Sequence, residues 1–244
     1  MKVYVMTQKG SAKHENEDRV LVDNQIVSEG YREVTLDSGI IAIADGVGGN
    51  NAGAIASSFV CENLKNIVLS DKNVLVDINS QLIMKSTENA KYSGMATTLS
   101  GVCIGDNMTS SFHVGNTRIY IFQGSYIKQI TEDHTSVNWL IKTGRISPKD
   151  AETYDRRNEI TACFGGGNPA LINSLVFEEN NETLSNSKRI VLTSDGIHEY
   201  ISIDELEDIL NNESFEPLNA CSEIINVAKA NGSNDDKSIV IIDK

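Results

Sequence analysis

Proline is scarce in this 244-residue chain, at three residues, and tryptophan occurs once. The four cysteines, Cys61, Cys103, Cys163 and Cys221, lie far apart, with no CxxC pair and no histidine spaced to complete a zinc site. A fold stapled by disulfides or zinc is therefore excluded, and a reducing compartment is expected. Positive charge is also short: 21 Lys and Arg stand against 34 Asp and Glu, a formal net charge of −13. A nucleic-acid binder must neutralise phosphates and a membrane-surface binder must meet anionic lipid, so neither partner is expected. No apolar run approaches the length of a membrane span, and the run Val3 to Met6 after Lys2 is too short for a signal-peptide core. A cytoplasmic location follows as the expectation. Apolar residues, by contrast, make up 40% of the chain, enough to fill a substantial core without wholesale disorder.

Strand character recurs at residues 3–7, 19–22, 40–44, 97–104, 110–114, 118–122, 126–130, 170–177, 189–193 and 238–242. Between 97 and 130 the strands are joined by Gly-Asp-Asn, Gly-Asn-Thr and Gln-Gly-Ser turns, too tight for anything but antiparallel neighbours. Helical periodicity appears at 52–69 and 76–90, and again at 203–210, capped by Ser202, and at 217–230. Antiparallel strands with helices grouped before and after predict an α+β fold in which helices cover sheets. No repeat or linker divides the chain, so one domain over 1–244 is expected, as a monomer. The polar stretch 143–158 reads as an exposed loop or small flap.

Aspartate falls repeatedly at strand ends. The run 40–44 leads into Asp45-Gly46, the run 189–193 into Ser194-Asp195-Gly196, and Asp235-Asp236 precedes 238–242, while Asn16-Glu17-Asp18 precedes 19–22. One Asp-Gly at a strand end is an ordinary turn, because Asp caps backbone groups and Gly tolerates positive φ. Four clusters mean more if the strand ends meet, since converging carboxylates repel unless a hard cation lies among them. An all-oxygen ligand set favours Mg²⁺ or Mn²⁺ over zinc, and two such ions are a recognised route to phosphoester hydrolysis.

The order of motifs along the chain then resembles a known family. GSAKHENEDR (10–19), IAIADGVGGNNAG (41–53), GMATTL (94–99), FHVGNTRIYIF (112–122), ITEDHTSV (130–137), NEITACFG (158–165), VLTSDG (191–196) and NDDKSIVII (234–242) are similar to the metal-dependent serine/threonine protein phosphatases, the PPM or type 2C family, in its short bacterial form. The resemblance implies an α-β-β-α sandwich of two antiparallel sheets flanked by helices, with a cleft holding two Mn²⁺ or Mg²⁺ ions at one end. It implies water activated by the binuclear site, hydrolysing phosphoserine and phosphothreonine on proteins, in opposition to a bacterial serine/threonine kinase. Carried over by position, the catalytic carboxylates are Asp45, Asp195 and Asp18. Asp45 is expected to bridge both ions, the Gly46 carbonyl to complete one site, and Asp195 and Asp235 to hold the second ion. Asp18 and Glu17 are expected to act through water on the ions.

The chain departs from that pattern in places. Lys13 stands where bacterial members usually place the arginine that binds the substrate phosphate, and a lysine offers a point charge without the two-pronged fork. Asn116 replaces the aspartate usual at a third metal site, so that site is expected to be weak. Asn50 replaces a common histidine, His134 reads as structural, and Asp236 and Ser238 differ mildly from the usual end motif. These changes sustain an alternative, a catalytically weakened, phosphatase-like binding or scaffold protein. A nucleotide-binding reading fails, because Gly46-Val47-Gly48-Gly49 lacks the glycine needed at Asn51 and no GxxxxGK[ST] occurs.

Overall fold

A computed structural model describes residues 1–47, 52–65, 67, 71–105, 109–151 and 153–244. In chain order its first strands are β1 (Lys2–Gln8), β2 (Arg19–Val22), β3 (Gln25–Val27), β4 (Gly30–Thr35), β5 (Gly39–Ala44) and β6 (Gly46–Val47), followed by α1 (Ala52–Leu64) and α2 (Lys72–Ser86). The middle holds β7 (Ala96–Thr97), β8 (Leu99–Ile104), β9 (Thr109–Val114), β10 (Arg118–Gln123) and β11 (Tyr126–Gln129), then α3 (Ser136–Lys142) and α4 (Pro148–Ala151). The last part contains β12 (Phe164–Gly165), β13 (Val176–Glu178), α5 (Glu182–Asn186), β14 (Arg189–Thr193), α6 (Asp195–His198), α7 (Ile203–Asn211), α8 (Pro217–Ala230) and β15 (Lys237–Asp243).

Two six-stranded antiparallel sheets result, ordered β11-β10-β14-β15-β1-β4 and β13-β9-β8-β5-β2-β3. Their central strands are apolar on both faces, and the period of two sends alternate residues to different cores. In β1, Val3 and Val5 enter the layer between the sheets, while Tyr4 faces α7 and α8. In β5, Ile41 and Ile43 enter the inter-sheet layer, and Ile40, Ala42 and Ala44 pack with Val60 and Leu64 of α1 and Leu75 and Leu82 of α2. Ile190 and Leu192 of β14 separate from Val191 in the same way. Three apolar layers therefore lie between four structural layers, helices outside and sheets inside, and the expected α+β sandwich is the observed fold.

Local chemistry sets the helix limits. Asp71 caps α2, its Oδ1 accepting the Asn73 N–H at 2.7 Å, so this helix begins four residues before the expected position. Ser202 and Glu205 form a reciprocal capping box on α7, as Ser202 suggests. Residues 66, 68 and 69, within the expected 52–69 helix, lie outside the described residues, as does Asn50. The expected strand 170–177 is instead a short 3₁₀ turn, Pro169–Ile172, followed by β13. Asn168 caps that turn and Pro169 supplies its fixed φ, which overrides the apolar pattern.

All four cysteines are free. Burial pushes the Cys61 and Cys221 thiols up to about 12, consistent with inert core residues.

Candidate metal centre at the sheet ends

Register brings the strand-end aspartates together. Arg19 of β2 pairs with Ala44 of β5, which places Asp18 beside Asp45 at one end of the second sheet. In the first sheet, Thr193 pairs with Ile239, and the pairing continues as the Ser194 N–H donates to the Ser238 carbonyl at 3.0 Å. Asp195 thereby comes beside the chain that carries Asp235 and Asp236. The two sheets join where the Ser238 hydroxyl donates to Asp18 Oδ2 at 2.7 Å.

Each carboxylate stands on a fixed backbone. The Asp45 carbonyl accepts the Thr98 N–H at 2.9 Å and the Thr97 hydroxyl at 2.8 Å, and its own N–H donates to the Thr98 hydroxyl at 3.2 Å. Gly46 passes so close to Gly53 at the start of α1 that a Cβ there would collide with backbone, and Gly196 is pressed in the same way onto the Asp236 carbonyl. The Asp18 loop is braced by Arg19, whose Nη1 donates to the carbonyls of Asn16 (2.5 Å) and Asp18 (2.7 Å). The Ser57 hydroxyl of α1 holds the Glu17 carbonyl at 2.6 Å.

Lys13, Glu17, Asp45, Gly46, Asn116, Asp195 and Asp235 all line one cleft of about 450 Å³. Asp18 lies beneath it, with no exposed surface. Burial pushes the Asp18 carboxyl up to about 7, with Asp236 and Asp195 adding to the rise against the hydroxyl bonds of Ser238 and Ser194. Burial and then the neighbouring Asp195, Asp18 and Asp235 hold Asp45 well above the usual carboxylate range. Asp195 is raised by burial and by Asp235, although its bond from Asn116 works in the other direction. Such mutual repulsion among acids in one cleft calls for cations.

Among the described residues, no three acids, histidines or cysteines close on one point as a finished ligand cage. The Asp45 carboxyl feels the charge of the neighbouring Asp195, and the Lys13 ammonium lies 2.9 Å from Glu17 Oε2 and 3.1 Å from Asp235 Oδ1. The fit to a hard cation rests on the all-oxygen donors and on Asp18 Oδ1, a fully buried oxygen without a partner.

Asn116 is buried on the cleft floor, and its Nδ2 donates to Asp195 Oδ2 at 2.9 Å. Its turn is clamped by His134, whose Nδ1 accepts the Gly115 N–H at 3.1 Å and whose N–H donates to the Gly115 carbonyl at 2.8 Å. His134 stacks on His113 at 4.8 Å, and burial lowers both imidazoles, His113 to about 4. His134 is structural, as expected.

Comparison with known proteins gives the family. Residues 12–236 match the family model described as protein phosphatase 2C. The chain belongs to the protein phosphatase 2C family. It is similar to protein phosphatase PhpP of Streptococcus pneumoniae serotype 2, at 29% identity with 87% of this chain and 85% of the relative covered. It is similar to the serine/threonine phosphatase stp of Listeria welshimeri, at 26% identity with 98% and 94% covered. Among solved structures, it is similar to serine/threonine phosphatase Stp1 of Staphylococcus aureus at 26% identity, with a TM-score of 0.81 and 99% and 94% covered. The serine/threonine phosphatase PstP/Ppp of Mycobacterium tuberculosis gives a TM-score of 0.80 at 25% identity, with 100% and 99% covered. As a member of the protein phosphatase 2C family the chain is a metal-dependent protein serine/threonine phosphatase, and Mg²⁺ and Mn²⁺ are the family's metals.

Three features of the phosphatase cleft are not anticipated by motif reading. Asp236 accepts the Gly10 N–H on Oδ1 and the Glu17 N–H on Oδ2, both at 2.7 Å, and so ties down both ends of the loop bearing Lys13. Glu199 and Tyr200 form one wall with Asn158, whose Nδ2 donates to Glu199 Oε2 at 2.5 Å. Thr97 and Thr98 buttress Asp45. Adjacency to Asp235 is a signal for Asp236; Glu199 has no local signal.

Proposed function

We propose that this phosphatase domain removes phosphate from phosphoserine and phosphothreonine in proteins with two Mn²⁺ or Mg²⁺ ions held by Asp45, Gly46, Asp195 and Asp235. The observation that carries this reading is one cleft in which acids from four distant segments meet beside the unpartnered Asp18 Oδ1. When bound, such ions activate water for attack on phosphorus and offset charge on the phosphoryl oxygens. Asp45 would hold both ions, from a backbone locked by Thr97 and Thr98. Asp195 is aimed by the Asn116 amide, while Asp235 faces it from the start of β15. Asp18 and Glu17 would orient water on such ions from behind, with Asp18 set by a chain running from Asn16 Nδ2 through the Thr7 hydroxyl (2.9 Å) and the Ser238 hydroxyl (2.7 Å).

Lys13 supplies the positive charge for a substrate phosphate oxygen, as a point charge on a flexible arm. Asn116 offers any third ion only a neutral oxygen, and its amide is engaged with Asp195, which supports a weak third site. Four unpaired cysteines support a cytoplasmic setting, and phosphoprotein substrates support opposition to a serine/threonine kinase.

The test is phosphate release from a phosphothreonine peptide. Release should depend on Mn²⁺, stop on chelation, and fall by more than about 100-fold in Asp195→Asn, beyond the loss typical of groups one layer out. A folded, metal-loaded wild-type protein with no turnover would overturn the enzymatic reading and favour a binding module.

A further inference from the structure

Among the described residues lining the catalytic cleft, Lys13 carries the one basic side chain. Its ammonium sits between two carboxylates, 2.9 Å from Glu17 Oε2 and 3.1 Å from Asp235 Oδ1. The backbone under it is anchored: the Lys13 N–H donates to the Gly10 carbonyl at 3.3 Å, and the Lys13 carbonyl accepts Lys9 Nζ at 2.7 Å. Gly10 is held by Asp236, the Ala12 N–H donates to the Asn234 carbonyl at 3.2 Å, and the Ser11 hydroxyl to Asn234 Oδ1 at 2.9 Å. A fixed base under a four-carbon arm lets the ammonium move while the loop does not.

We propose that Lys13 is an internal surrogate cation, whose ammonium holds the Asp235 side of the cleft until a divalent ion displaces it. Resting on the assignment of Asp235 as a metal ligand, this follows from simple electrostatics. An ammonium and a dication cannot share one carboxylate oxygen without strong repulsion, and it is the Lys13 ammonium that pairs with the Asp235 carboxylate, the Lys237 ammonium being turned onto the Asp235 backbone carbonyl. Metal loading therefore breaks the Lys13–Asp235 pair and frees the ammonium for the phosphate of the substrate. The same contact keeps a metal-free cleft from presenting an uncompensated Asp235, and it sets a threshold for the second ion.

The experiment is a calorimetric Mn²⁺ titration of the full chain, its Lys13→Gln and Asp235→Asn variants, and the double variant, without substrate. The expected result is two classes of Mn²⁺ site in the wild type. Asp235→Asn weakens one class, and Lys13→Gln tightens that same class by about three- to tenfold, the range two partly exposed ion pairs support. In the Asp235→Asn background the Lys13→Gln effect disappears, because its partner is gone. If Lys13→Gln tightens both classes alike, or acts equally without Asp235, a general charge effect explains it and the proposal falls. If Asp235→Asn weakens a class and Lys13→Gln changes nothing, the proposal alone falls. If Asp235→Asn weakens no Mn²⁺ step, the assignment of Asp235 falls and takes the proposal with it.

Discussion

At the residue scale, Asp236 shows how a buried carboxylate can serve a site without touching the chemistry. Its two oxygens accept the Gly10 and Glu17 N–H groups, and replacing it with alanine leaves both donors without that acceptor. A buried N–H left unsatisfied costs about 1–3 kcal/mol. Asp236→Ala should therefore lower the melting temperature by about 5 °C or more and raise KM for a phosphopeptide, because the loop carrying Lys13 loses its ties. Calorimetric melting and steady-state kinetics check this, and an unchanged KM would remove Asp236 from the loop's support. Asp45, Asp195 and Asp235, the acids proposed to hold metal, are legible in the sequence because each follows or precedes an apolar strand, a local pattern. Asp236 is signalled only by standing next to Asp235, and the roles of Asp236, Thr98 and Glu199 arise from pairings over long sequence distances that a motif does not encode. Asp236 bonds a residue 226 positions away.

At the element scale, the strands facing two cores were readable as unbroken apolar runs, and β14 and β15 match their expected spans closely. Four strands escape that reading, the two-residue β6 and β12 and, in the large sheets, β3 and β4. β4, GYREVT, is an edge strand exposed along most of its length, and β3 has three residues, so neither shows an apolar period. The expected strand 97–104 divides at Thr98, where the backbone turns aside to bond Asp45. The described residues of the 143–158 stretch are mostly exposed, as expected, and α3 before it has no fully buried residue. Its Arg145 lies over the half-exposed Trp139 ring at 4.3 Å, a surface contact worth about 0.5–1 kcal/mol. Replacing residues 145–155 with a short Gly-Ser linker should therefore leave the melting temperature within a few degrees. Relative rates on different phosphopeptides should change, since Asn158 and Ile160 at the far end of this stretch line the cleft. A large loss of stability with unaltered preference would contradict that division.

At the scale of the whole molecule, the acids that make the cleft are a cost to the metal-free fold. In the unfolded chain the Asp18 carboxyl ionises near the ordinary value of 3.8, and in the metal-free fold it keeps its proton to about pH 7. Between those values the folded state binds more protons, so this contribution to stability is present at low pH and is lost as pH rises through about 7. Metal-free protein should melt at a lower temperature at pH 7.5 than at pH 5.5, and Asp18→Asn should flatten the difference. Mn²⁺ at about 100 times its Kd adds about 2.7 kcal/mol per site, or about 5–10 °C, and should oppose the loss at the higher pH. Melting curves with and without chelator measure both effects.

The most direct measurement is anomalous diffraction at the manganese edge from crystals of the full chain grown with Mn²⁺. The account predicts two peaks about 3.5–4 Å apart, with Asp45 between them and Asp195 and Asp235 on one, and the Lys13 ammonium moved off Asp235. A single peak away from Asp45, or no peak within reach of Asp195 and Asp235 in an active protein, would contradict it.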